Sequence, residues 1–126
     1  MRLLRLLASL VALVSFAACD SPTFRLEGPL AIEVGSGRVQ LHNRTDATVY
    51  FNVVEREYTA LADWIPCSNP AACDGIAPGE RQSIAYDDIM GYEAGAKEAV
   101  VYWWSLVPAP GGGYSPDNIR SEVIRL

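Results

Sequence analysis

The run Val100-Val101-Tyr102-Trp103-Trp104-Ser105-Leu106-Val107 constrains this chain more than any other segment. β-branched and aromatic residues favour a pleated strand. Alternation along a strand sends Val100, Tyr102, Trp104 and Leu106 to one face, and Val101, Trp103 and Val107 to the other. Both faces are therefore apolar, whereas a half-exposed sheet puts polar residues on one of them. Two arrangements satisfy this pattern. In the first, the strand is central and its outer face is covered by the segment from Trp64 to Cys73. In the second, that face is an open aromatic patch, extended by Tyr50 and Val54 on a neighbouring strand, and serves as a contact surface. Coverage is the expected outcome, because monomers rarely leave large apolar patches open.

The remaining pattern is also β. Leu30–Val34 alternates and ends at Gly35-Ser36-Gly37, and Arg38–Asn43 alternates with Val39 and Leu41 on one face. Asn43-Arg44-Thr45-Asp46 carries turn chemistry. Thr48–Glu55 follows, with Val49, Phe51 and Val53 expected inward and Tyr50, Asn52 and Val54 outward. Leu61–Pro66 is read as a short edge strand or an irregular crossing. Ile76–Glu80 is a turn before a strand at Arg81–Tyr86, and Asp87–Glu93 is one helical turn or a loop. Pro108–Gly113 breaks the aromatic strand, and Ile119–Leu126 forms the last one. About seven strands with no long helix predict an all-β domain, a single antiparallel two-sheet sandwich. This layout resembles the bacterial immunoglobulin-like or fibronectin-like architecture over most of the chain. The inter-sheet disulfide of antibody domains is missing, since Cys67 and Cys73 are too close in sequence to join two core strands.

Ahead of the β pattern, Arg2 and Arg5 precede an apolar run from Leu6 to Ala18. A charged start, a short apolar stretch and small residues at its end form the layout of a secretory signal peptide. The run is short of the roughly 20 apolar residues that a bilayer crossing needs. Phe16-Ala17-Ala18-Cys19 resembles the lipobox of bacterial lipoproteins, with Phe16 where Leu is usual. The resemblance implies cleavage before Cys19 and fatty acylation of Cys19 as the new N-terminus. Residues 1–18 are thus read as signal peptide, 19–28 as lipidated cysteine and short tether, and 29–126 as the sandwich. The implied place is the bacterial cell envelope, on a membrane through the N-terminal lipid, facing the periplasm or the cell surface. Asp20 after Cys19 resembles the inner-membrane retention signal of enterobacterial lipoproteins.

Export accounts for the other two cysteines. Cys67 and Cys73 bound a polar, proline-containing loop and form an even pair in an oxidising compartment, so a disulfide is expected. A metal site would need further ligands, and a redox pair would favour the tighter Cys-x-x-Cys spacing. Closing so short a loop contributes ~2–3 kcal/mol in the loop-entropy view.

Composition narrows the function classes. The chain carries a formal charge of −5, and removing residues 1–18 takes away two arginines and no acid. Lys97 is the single lysine and no basic run exists, which excludes a phosphate-backbone partner such as nucleic acid. There is no Gly-x-Ser-x-Gly, His-Glu-x-x-His or Walker loop. Gly111-Gly112-Gly113 follows prolines and opens no helix, so a hairpin loop is expected rather than a phosphate cradle. His42 lies on the polar parity of its strand and reads as a surface histidine. Asp87, Asp88 and Glu93, with Asp74 and Glu80, form an acidic group without EF-hand spacing, and solvated loop charge is the expected role. No cofactor is implied. These features point to a non-catalytic, lipid-anchored envelope protein acting in protein–protein interaction or envelope structure. The alternative is a small-ligand or glycan-binding module, with Tyr50, Trp64, Tyr102, Trp103 and Trp104 as the candidate surface in either case.

Overall fold

A computed structural model describes residues 22–126. The residues read as signal peptide, Cys19 and the start of the segment read as tether lie outside the described residues. Eight strands form: β1 (Phe24–Leu26), β2 (Leu30–Gly35), β3 (Arg38–Asn43), β4 (Val49–Glu55), β5 (Gly75–Ile76), β6 (Arg81–Ala85), β7 (Glu98–Pro108) and β8 (Tyr114–Arg125). Two short 3₁₀ turns, Tyr58–Ala60 and Tyr86–Asp88, join them. The strands make two antiparallel sheets, ordered β1-β2-β3-β6 and β5-β4-β7-β8. The expected two-sheet sandwich is the fold.

Alternation explains the core. Leu30, Ile32 and Val34 of β2 and Val39 and Leu41 of β3 face Val49 and Val53 of β4 and Ala99, Val101 and Trp103 of β7. Ile84 and Ile124 join them from the two edges, and Phe51 packs partly buried at the margin. The outer face of the first sheet is wet and ionic, with Arg25 and Glu33 paired at 2.9 Å and Arg44 bonded to Glu27. Of the acidic group, Asp87 and Asp88 are exposed in the 3₁₀ turn, beside Tyr86. Burial, and after it Tyr92, holds the Tyr86 hydroxyl's pKa above the ordinary tyrosine value.

Several elements differ from the sequence reading. The segment read as tether contributes β1, because Phe24 and Leu26 pack against the core and the strand pairs with Ile32–Val34. Leu61–Pro66 is an irregular crossing and not a strand. A two-residue β5 pairs with Val49 and Tyr50 instead. Val54 keeps the expected outward parity, yet it is fully buried, with Met90 bridged to it. The last strand begins at Tyr114 and not at Ile119, because β7 and β8 form one long hairpin. Gly111, Gly112 and Gly113 form its loop, all at positive φ, where a side chain would be strained.

One polar residue ties the two layers together. Asn43 is fully buried at the end of β3. Its Nδ2 donates to the carbonyls of Ala47 and of Ile76 in the opposite sheet, both at 2.8 Å. Its Oδ1 accepts from the backbone N–H of Thr45 at 2.9 Å and the Thr45 hydroxyl at 2.7 Å. The side chain's hydrogen-bonding capacity is therefore filled, as a buried amide requires. Asn43→Leu should destabilise the domain by ~2–4 kcal/mol, since it strands the buried Ile76 carbonyl and removes the acceptor of the Thr45 N–H. A denaturation midpoint unchanged from the parent would refute this role.

Candidate functional site: a roofed aromatic sheet face

The outer face of the second sheet is built on β4 and β7. Register places Tyr50 beside Trp104, Asn52 beside Tyr102 and Val54 beside Val100. Tyr50 also stands opposite Gly75, where a Cβ would lie 3.1 Å from the Tyr50 ring, so the ring covers the glycine. Over this face runs the crossing from Leu61 to Cys73. Trp64 descends from it onto Tyr102, with ring centroids 4.4 Å apart, and lies 5.9 Å from Trp104. The Trp104 indole N–H donates to the carbonyl of Cys67 at 3.1 Å. Cys67 and Cys73 are joined as a disulfide. An aromatic stack, a hydrogen bond and a covalent closure thus fasten the crossing as a roof.

The structure therefore brings Tyr50, Trp64, Tyr102 and Trp104 together, and it separates Trp103 from them. Trp103 points into the sandwich and is 8% exposed, while Trp104 under the roof is 2% exposed. Coverage, the expected arrangement, is what the structure shows: alternation sends Trp103 into the core and the roof takes Trp104, so neither indole belongs to an open surface. Their polar ends differ. The Trp103 Nε1–H meets no acceptor among the described residues, and the Arg120 guanidinium lies 4.9 Å from its ring centre.

The roof itself presents what sequence reasoning missed. Leu61 is 84% and Ile65 89% exposed, on either side of the anchoring Trp64. Leu61 borders a groove of about 540 Å³ between the turn after β4 and the loop before β7. Glu55, Glu57, Glu93 and Glu98 line it against Arg56 and Lys97, so its lining carries more acid than base. The Glu55 carboxylate accepts the backbone N–H of Tyr58 at 2.8 Å and so shapes one wall. Gly91 forms another at positive φ, where any Cβ would come within 2.2 Å of the Tyr58 ring.

The other candidates stay apart from this face. His42 is half-buried on the polar side of the first sheet, paired in register with Ala31 and Arg81. Among the described residues no three His, Cys, Asp or Glu side chains gather closely enough to hold a metal ion. Comparison of the chain with protein-family models, with curated proteins and with solved structures finds no match.

The two indoles make the roof testable. Trp104→Phe should cost ~1–2 kcal/mol more than Trp103→Phe, because it strands the Cys67 carbonyl while Trp103 loses no hydrogen bond. Equal costs in urea denaturation would mean that the indole bond does not hold the roof.

Proposed function

We propose that this chain is a non-catalytic, lipid-anchored protein of the bacterial cell envelope whose sandwich binds another protein at the roof. The carrying observation is the pair Leu61 and Ile65, held almost fully in water on a segment that is covalently closed and aromatically anchored. A loose loop would fold such side chains inward at little cost, and a fastened one keeps them presented. Exposed apolar side chains on a rigid support mark contact surfaces. The neighbouring acidic groove favours a partner whose apolar contact is flanked by basic residues.

The lipid anchor rests on the N-terminal sequence. Arg2 and Arg5, the apolar run and Phe16-Ala17-Ala18-Cys19 support cleavage and acylation at Cys19. Several acyl chains on that cysteine would hold the protein stably, at ~0.8 kcal/mol for each buried CH₂. With β1 beginning at Phe24, only a few residues would separate lipid from domain. The Cys67–Cys73 disulfide supports an oxidising location.

Strand order supports the immunoglobulin-like reading. With β1 set aside, β2, β3 and β6 stand where strands A, B and E stand in that fold. β4, β7 and β8 take the places of C, F and G, and β5 lies beside C. Such sandwiches serve widely as binding modules on cell surfaces.

Two experiments test the proposal. Cys19→Ala should abolish labelling by a metabolic fatty-acid probe, and retained labelling would sink the anchor. Leu61→Asp with Ile65→Asp should leave the urea midpoint within ~0.5 kcal/mol of the parent, as exposed sites do. The same variant should lose the protein co-purified after crosslinking in envelopes. If that protein is captured equally well, the roof is not the contact surface.

A further inference from the structure

We infer that the open edge of β8 pairs with β8 of a second copy, antiparallel and centred on Ser121. β8 is the outermost strand of its sheet, twelve residues long, and Ile124 is its single buried member. A long unpaired edge is a template for another strand, and proteins normally blunt it with prolines, bulges or charge. Here the proline and the bulge are confined to the first half, and the second half carries charge of both signs at Arg120, Glu122 and Arg125. Pro116 lacks an N–H, and Asn118, at φ 54°, forms with Ile119 a bulge opposite Trp104. From Arg120 to Arg125 the register with β7 is regular.

The backbone phase identifies which groups face outward. The Leu126 N–H donates to the Lys97 carbonyl at 2.8 Å, across from β7. Backbone groups alternate in direction along a strand, so Glu122 and Arg120 also aim theirs at β7. Ser121 and Val123 then aim theirs at the open edge. A two-fold axis at Ser121 would align these groups with their own copies.

The side chains are self-complementary about that axis. It sets Arg120 opposite the second copy's Glu122, and Glu122 opposite its Arg120. Ile119 meets Val123 on the other face. Ile119 is 52% and Val123 42% exposed, so both offer apolar area to cover. Among the described residues, neither Arg120 nor Glu122 belongs to an ion pair. The Arg120–Glu122 contacts fall at the closer, non-hydrogen-bonded type of position, where opposite charges stabilise a strand pair. An axis displaced by one residue, to Glu122, would place that carboxylate against its own copy. An isologous contact of this kind is closed and stops at a dimer.

Ser121→Cys in the full-length purified chain, held in detergent, tests the axis. The two introduced thiols would sit at a hydrogen-bonded pair, with Cα atoms ~5.5 Å apart, within reach of a disulfide. Under mild oxidation a disulfide-linked dimer should form at least tenfold more than from Gln40→Cys, a control on the first sheet. Adding Glu122→Arg should reduce the yield to the control level. Adding Arg120→Glu as well should restore it, since the charges are then exchanged. A yield no greater than the control, indifference to Glu122→Arg, or no recovery in the exchanged variant would each overturn the inference. The roof contact is tested separately, since Leu61 and Ile65 lie outside this register.

Discussion

β7 must hide apolar side chains on both of its faces, and most of the structure follows from that demand. A two-layer sandwich buries one face only. Ala99, Val101 and Trp103 are satisfied by the opposite sheet, and Val100, Tyr102 and Trp104 need a third layer. The chain supplies it with an irregular crossing. Irregular backbone covering an apolar face exposes polar groups that need partners, and here the Cys67 carbonyl finds one in the Trp104 indole. The disulfide closes the same crossing and reduces the conformations it would otherwise explore.

The two sheets are chemically unlike because of this roof. The first sheet keeps an ordinary wet face of ion pairs and half-buried polar side chains. The second is apolar beneath the roof, and the roof displaces the apolar character outward onto Leu61 and Ile65. At one end of the sandwich Asn43 joins the layers, bonding the β3–β4 turn to the carbonyl of Ile76 across the core boundary. A turn residue thereby becomes an inter-sheet contact. This is also why a two-residue β5 can persist, its carbonyl being held from the other sheet.

Much of this was legible in the chain, because strand alternation is a local signal. Leu30–Val34, Arg38–Asn43 and the aromatic strand carry it plainly, and the structure places strands there. The need for a cover was also legible, since it follows from parity alone. β1 was hidden because Phe24-Arg25-Leu26 is too short to show a period. β5 was hidden for the same reason. The exposure of Leu61 and Ile65 ran against their hydrophobicity, so composition pointed away from it.

By itself, then, the sequence determined which segments extend, which cysteines can join and that one strand needs covering on two sides. These are consequences of spacing over a few residues. Tertiary structure decided that Trp104 bonds to Cys67 and that Asn43 reaches Ile76, thirty-three positions along the chain. It also decided, through the bulge at Asn118, which β8 side chains share a face with Trp103. Those outcomes depend on pairing between distant segments. Each pairing costs loop-closure entropy and forms only when the whole core repays it.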